Sequence, residues 1–143
     1  MSISVDGLIK CKKLQDELFR KYIYSYFIVD NSQDLKYENN YFVYKCDKYT
    51  FHIYFSKDRI YPANIWDSDI LKKEYEYSNI IMFDLCKGID YEEAYRCILD
   101  FFVFLHEEIQ CDILVTSDVF NDICYMTDHK YHWSDQWLNR WEK

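Results

Sequence analysis

The sequence predicts an α+β fold in which a mostly antiparallel β-sheet packs against one long helix and one or two shorter helices. Two observations favour this class. Segments in which apolar and polar residues alternate, as in strands, are interspersed with segments in which apolar residues recur every three or four positions, as in helices. The 143 residues contain no repeat, low-complexity tract or linker rich in glycine or proline, so one domain, 1–143, is expected.

The first half of the chain contains a predicted helix and a predicted hairpin. Apolar residues at helical spacing from Cys11 to Tyr22 predict an amphipathic helix over about residues 8–24. Strict alternation over 49–56 predicts a strand, and residues 41–46 precede it across a short polar connection. We therefore expect these two segments to pair as a hairpin.

The second half contains the predicted centre of the core. Residues 79–86 predict a strand, and the capping box that begins at Asp90 predicts the start of a long helix. Residues 112–117 and 122–127 predict a second hairpin, and Ser134 is placed to cap a short final helix. The predicted apolar face of the long helix consists of Ala94, Ile98, Phe101, Phe102, Leu105 and Ile109.

The composition argues against common kinds of catalytic site. Only 2 glycines and 1 proline occur, so neither a P-loop nor a dinucleotide-binding fingerprint is present. No nucleophile elbow surrounds a serine or cysteine. We expect no catalytic residues, no enzyme activity and no cofactor.

A candidate metal site consists of Cys124, Asp128, His129 and His132, which lie within nine residues. The segment lacks a paired C-x-x-C, so a polar loop is the better interpretation and no metal ligand is predicted. The N-terminus has no export signal, and the longest apolar run, 101–105, is too short to span a bilayer. We therefore expect a cytoplasmic protein without membrane contact, with its six cysteines reduced.

Charge is distributed unevenly along the chain. Residues 1–59 hold 8 acidic and 10 basic residues, whereas residues 60–143 hold 17 acidic and 7 basic residues, for a total charge of −8. An acidic surface repels nucleic acid, so no direct nucleic-acid binding is expected. Acids interspersed with aromatics are typical of an interface for a basic protein, although an ordinary solvated face stays an alternative. The predicted partner-binding residues are Asp118, Asp122, Tyr125, Asp128, Tyr131 and Trp133.

The C-terminal half resembles immunity proteins of bacterial polymorphic toxin systems, including those of contact-dependent growth inhibition. The residues that carry the resemblance are a strand (79–86), a helix (91–108), a hairpin (111–128) and the segment HWSDQW (132–137). The resemblance implies a small protein, a monomer or a weak dimer, that binds one cognate toxin domain and occludes its active site. The toxins of such systems are often nucleases, which carry basic clefts.

Two other classes of function were considered. One is a phage- or plasmid-encoded acidic protein that mimics nucleic acid and inhibits a host nuclease. The other is an enzyme or small-ligand domain whose aromatic residues line a pocket.

Overall fold

In the residues that the structure describes, one large and one small antiparallel sheet are combined with three helices. The computed structural model describes residues 3–11, 16–27, 41–45, 50–56, 65–85, 91–118 and 121–141. The strands are β1 (Ile3–Lys10), β2 (Tyr41–Lys45), β3 (Thr50–Ser56), β4 (Ile65–Ser68), β5 (Lys73–Glu76), β6 (Asn79–Leu85), β7 (Asp112–Ser117), β8 (Asn121–Thr127) and β9 (Lys130–Trp133). The helices are α1 (Asp16–Phe27), α2 (Tyr91–Ile109) and α3 (Asp135–Trp141).

The large sheet has seven strands in the order β2-β3-β6-β1-β7-β8-β9, and every neighbouring pair is antiparallel. Strand β1 is central, and its Gly7 lies between Ile81 of β6 and Val115 of β7. A side chain on Gly7 would collide with the ring of Phe102, since an added Cβ would lie 2.5 Å from the ring Cζ. The missing side chain therefore lets α2 pack close to the sheet.

One face of the large sheet carries the helices and the main core. Helix α2 crosses β1, β6 and β7, and its predicted apolar face is buried except at Ile109, which is half-buried; Phe101 and Phe102 are fully buried. Helix α1 adds Phe27, whose ring lies 5.0 Å from that of Phe101 and 5.8 Å from that of Phe83 on β6. These aromatic contacts form a continuous core from α1 through α2 to the sheet.

The opposite face of the large sheet is partly covered by the small sheet. Strands β4 and β5 pair as a hairpin, which we call the ribbon (residues 65–76). Tyr75 of the ribbon is buried, and its hydroxyl donates to the carbonyl oxygens of Leu8 (3.1 Å) and Asp112 (3.2 Å). A second apolar cluster, which includes Leu8, Ile80 and Leu114, lies beneath the ribbon.

The α+β class, the mostly antiparallel sheet and the long helix are confirmed. The hairpin β2–β3, strand β6, helix α2 and the hairpin β7–β8 lie within a residue or two of their predicted positions. The first predicted helix is wrong at its start, because residues 8–10 belong to β1 and α1 begins at Asp16. The ribbon and the edge strand β9 were not predicted.

The start of α3 is predicted correctly, but the predicted capping by the Ser134 side chain is wrong. Ser134 directly precedes the helix, and its carbonyl oxygen accepts from the backbone N–H groups of Trp137 and Leu138, both at 3.0 Å. Its hydroxyl oxygen, however, is buried without a hydrogen-bond partner, so the side chain does not cap the helix. Helix α3 is instead anchored by the indole of Trp137, which is buried against Tyr95 of α2 at a ring distance of 5.2 Å.

Candidate functional site

The hairpin β8–β9 positions five of the six predicted partner-binding residues. Its turn consists of Asp128 and His129, which have φ values of 50° and 60°. At about 3.3 Å per residue, the six steps from Asp122 to Asp128 separate the two ends of β8 by about 20 Å. Because neighbouring strand residues point to opposite faces, Tyr125 and Tyr131 also lie on different sides of the sheet. The six residues therefore do not form one patch.

Asp122, one of the predicted partner-binding residues, is buried. Its side chain is only 2% exposed, and its carboxylate accepts three hydrogen bonds from the ribbon. The donors are Trp66 Nε1 at 2.7 Å, Ser68 Oγ at 2.5 Å and the backbone N–H of Ile70 at 3.0 Å. Asp122 thus anchors the ribbon to β8, and a basic substitution would place a positively charged donor among three neutral donors that have lost their acceptor.

Asp118 is exposed at the end of β7, but it is tied to β1. Its backbone N–H donates to the carbonyl oxygen of Ser4 (3.3 Å), and its Oδ1 accepts from the backbone N–H of Ser4 (3.1 Å). Ser4 Oγ in turn donates to Asp6 Oδ1 at 2.6 Å. Burial raises the pKa of nearby Asp84; His52 opposes this shift, while the charge of Asp118 adds to it. The carboxylates of Asp6, Asp84 and Asp118 therefore lie close together around Ser4.

A cleft of about 490 Å³ lies between the turn of the ribbon, the start of β8 and the start of α3. We call it the ribbon cleft. Its lining includes the exposed residues Asp69, Lys72, Asn121, Asp135 and Gln136, and also Trp133, whose side chain packs on the main core. The lining therefore combines two exposed carboxylates, one lysine and two amides.

The other end of β8 carries a compact polar cluster. The hydroxyl of Tyr131 donates to Glu107 Oε1 on α2, and Glu107 Oε2 lies 2.6 Å from His129 Nδ1. The hydrogen bond from Tyr131 is the largest cause that lowers the pKa of Glu107, and His129 lowers it further. The pKa of Tyr131 is raised to about 12, mainly by burial and secondly by the hydrogen bond to Glu107. Both carboxylate oxygens of exposed Glu107 are therefore in contact with side chains of the hairpin β8–β9 and its turn.

His106 connects this cluster to the buried end of α2. Its ring is 2% exposed, and its Nε2 accepts from the backbone N–H of His129 at 3.1 Å. Its Nδ1 lies 2.7 Å from the carbonyl oxygen of Cys111, which fits a proton on Nδ1. The turn of the hairpin is therefore held directly against the helix.

Tyr125 lies on the ribbon side of the sheet. Its hydroxyl donates to Asp112 Oδ2 at 2.8 Å, and Asp112 Oδ1 accepts from Thr127 Oγ1, also at 2.8 Å. Its ring stacks on His132 at 6.1 Å and meets Tyr75 edge-on at 5.9 Å. This half-buried tyrosine connects the ribbon with the edge strand, so its hydroxyl is already occupied.

The four residues of the candidate metal site do not converge on one point. Cys124 is buried on the helix side of the sheet, where burial raises the pKa of its thiol, whereas exposed His132 lies on the ribbon side. Within the ranges that the structure describes, no three His, Cys, Asp or Glu side chains are grouped so that they can hold a metal ion. Cys11, Cys97, Cys111 and Cys124 are thiols, and Cys46 and Cys86 lie outside the described residues.

Comparison with protein-family models, with curated proteins and with solved structures found no match to this chain. Among the helices of the described ranges, none has the length and apolar character that crossing a membrane requires.

Sequence reasoning missed the ribbon side of the site. A signal for β5 was present, because Tyr75 and Tyr77 alternate with Glu74 and Glu76 as in a half-buried strand. Nothing in the local sequence indicates that Asp122 accepts hydrogen bonds from residues 52 to 56 positions away.

Proposed function

We propose that the protein binds and neutralises a cognate toxin domain, with the hairpin β8–β9 and its surroundings as the binding surface. The observation that carries the proposal is the surface of this edge hairpin. Exposed Asp128 lies at its turn and exposed Asp135 lies just beyond its other end, with half-buried Tyr131 and Trp133 between them, and Asp118 is exposed at the end of the neighbouring strand β7. Aromatic anchors surrounded by charged groups are typical of hot spots in protein interfaces.

The sign of the charge favours a basic partner. Around the hairpin, Lys130 is the one exposed cation of residues 107–118 and 121–135, where Glu107 and Glu108 add to the carboxylates already named. A nuclease must hold phosphate in a basic cleft, so such a toxin would be attracted to this surface and blocked by it. The proposed protein is cytoplasmic, works without catalysis or a cofactor, and is a monomer or a weak dimer.

The resemblance to immunity proteins supports the same proposal. Its strand, helix, hairpin and tryptophan segment correspond to β6, α2, β7–β8 and β9–α3, and α2 packs on β6, β7 and β8, with β1 inserted between β6 and β7 in the sheet. An edge strand with rigid neighbours is a suitable site for such recognition, because little ordering is required when the partner binds.

The first experiment is co-purification with the product of the neighbouring gene, followed by measurement of the association rate at low and high salt. The variant Asp118→Asn/Asp128→Asn removes two charges and keeps the shape of both residues, and asparagine tolerates the positive φ of Asp128. We expect association at low salt to slow about 10-fold, with a smaller difference at high salt, because the attraction is screened.

The matched control is Glu74→Gln/Glu76→Gln, which removes the same charge from exposed positions of β5. It should leave the association rate within about twofold of the wild-type value. Equal slowing by both pairs of substitutions would indicate general charge attraction rather than recognition by the hairpin. Capture of a host nuclease instead of the neighbouring gene product would contradict the proposal and favour the nucleic-acid mimic.

A further inference from the structure

The strand pair β1–β7 brings two cysteines from distant parts of the sequence together at one of its ends. We propose that Cys11 and Cys111 form a site of reversible oxidation, in which a peroxide converts the two thiols into a disulfide that links β1 to β7. The proposal is independent of the proposed function, because it concerns two side chains of the sheet and not the surface that binds a partner.

The register of the two strands places the cysteines opposite each other. The ladder between β1 and β7 ends one residue before Cys11 and one residue after Cys111, so one further step in the same register pairs them. Ile9 and Ile113 are paired in the ladder, and both belong to the main core. Cys11 belongs to the same core, and half-buried Cys111 packs against it. The two thiols therefore lie on the same face of the sheet, the face that carries the helices.

The backbone groups of the two cysteines are bonded in other directions. The N–H of Cys11 donates to Ser78 Oγ at 2.9 Å, and Ser78 Oγ donates to the carbonyl oxygen of Cys11 at 2.8 Å. Ser78 directly precedes β6, so these bonds point away from β7. The carbonyl oxygen of Cys111 accepts from His106 Nδ1 at 2.7 Å. Cys11 and Cys111 therefore face each other as a pair that is not joined by backbone hydrogen bonds.

The alternation of bonds along β1 agrees with this assignment. The backbone N–H of Asp118 donates to the carbonyl oxygen of Ser4 at 3.3 Å, so Ser4 forms a hydrogen-bonded pair across the two strands. An odd number of residues separates Ser4 from Cys11, which places Cys11 in the other class of pair. In that class the Cα atoms are about 4.5 Å apart. Disulfides join residues whose Cα atoms are about 4.4–6.8 Å apart, so the spacing suits such a bond.

Cys111 is the sulfur that a small oxidant reaches first, because it is half-buried whereas Cys11 is 9% exposed. The Cys111 thiolate attacks one oxygen of hydrogen peroxide, the O–O bond breaks, and a sulfenic acid forms; the released hydroxide and the thiol proton become water. The Cys11 thiolate then attacks this sulfur, the S–S bond forms and the S–O bond breaks, which releases a second water. The two thiols together lose the two electrons that reduce the peroxide.

The disulfide closes a long loop, from residue 11 to residue 111, which contains β6 and α2. A cross-link that closes a long loop removes much conformational freedom from the unfolded chain and therefore stabilises the fold. We expect the Tm of the oxidised protein to exceed that of the reduced protein by at least about 5 °C. A small dithiol such as dithiothreitol should reverse the change.

The test is disulfide mapping of the wild-type protein after brief treatment with hydrogen peroxide and alkylation of the remaining thiols. A protease that cleaves before aspartate places the six cysteines on six different peptides, with Cys11 in 6–15 and Cys111 in 100–111. In the mass spectrum we expect the linked peptide 6–15/100–111 to be at least about fivefold more abundant than any other linked pair. The same treatment in urea should give a mixture of pairs, because the unfolded chain does not hold these two residues together.

Cys11→Ser and Cys111→Ser should each abolish the linked peptide and the rise in Tm. Cys97→Ser is the matched control, because Cys97 is another half-buried thiol but lies on α2; this variant should keep both. Another dominant pair in the folded protein, or an equal yield of 6–15/100–111 in urea, would overturn the proposal, as would the absence of this linked peptide. If the linked peptide forms and Tm is unchanged, the oxidation site stands and its stabilising effect is refuted.

Discussion

Replacing Asp122 should loosen the ribbon and destabilise the whole fold. Its carboxylate accepts hydrogen bonds from Trp66, Ser68 and Ile70, and it is 2% exposed. A hydrogen bond to a charged group contributes about 1.5–3 kcal/mol, and three bonds to one carboxylate are not additive. We expect Asp122→Ala to lower the free energy of unfolding by about 3–5 kcal/mol, because three donors lose their acceptor in a buried site.

Asp122→Asn is the more informative substitution, because it keeps the shape and removes the charge. Oδ1 accepts from Trp66, while Oδ2 accepts from both Ser68 and Ile70. Whichever way the amide is turned, its NH₂ group meets at least one N–H donor that cannot reverse its role. The expected cost is about 2 kcal/mol, intermediate between wild type and Asp122→Ala.

The measurement is urea and thermal unfolding of both variants. For a chain of this length, Asp122→Ala should lower Tm by roughly 10 °C. The matched control is Asp118→Ala, at the other end of the β7–β8 connection. Asp118 is exposed, and its side chain accepts a hydrogen bond from the backbone N–H of Ser4, so this substitution should lower the free energy of unfolding by less than about 1 kcal/mol. Hydrogen exchange of residues 65–76 should quicken selectively in Asp122→Asn. A loss below about 1 kcal/mol for Asp122→Ala would refute the anchoring role.

Three further outcomes are expected. Gly7→Ala forces Phe102 out of its position and should lower Tm by several degrees, measured calorimetrically; an unchanged Tm would contradict the close packing of α2 on β1. Burial raises the pKa of Asp84 above 3.8, so its ionised form destabilises the fold. Asp84→Asn should therefore raise Tm at pH 7, with the gain disappearing as the pH falls below about 4, and an equal gain at pH 3 would refute this. Tyr131→Phe should raise the pKa of Glu107 toward its ordinary value in a ¹³C NMR titration, and a constant pKa would show that the hydroxyl does not matter.

The parts of the fold that sequence predicts are those in which one local pattern decides the structure. Helix α2 shows this best, because a capping box in the sequence precedes a long series of apolar residues at helical spacing, and that face is buried from Ala94 to Leu105. Strand β1 shows the opposite case. Apolar residues recur at every second position from Ile3 to Ile9, but Gly7 in the middle weakens this strand pattern. Apolar residues at helical spacing begin at Cys11, and for that reason the predicted helix starts too early, at residue 8.

The candidate site was harder to predict because burial of a polar side chain depends on distant donors. Asp122 and Asp118 have similar local surroundings in the sequence, yet one is buried beneath Trp66 and the other is exposed. Likewise, Glu107 belongs to an apparently solvated acidic segment, but its carboxylate is bound by Tyr131 and His129 from the edge hairpin. Such pairings arise from tertiary structure and leave no periodic signal.

Charge on this surface therefore has two separate uses. The carboxylate oxygens of Asp122 and Glu107 accept hydrogen bonds within the chain, but both residues still add to the acidic potential that would attract the proposed basic partner. For short-range contacts the surface depends on carboxylates such as Asp69 and Asp135, which line the ribbon cleft and are exposed. The rate of association with the proposed toxin should therefore follow the charge around the hairpin, where Asp118 and Asp128 lie, whereas the lifetime of the complex should follow the exposed carboxylates of Asp69 and Asp135, since charge pairs formed at close range mainly determine dissociation.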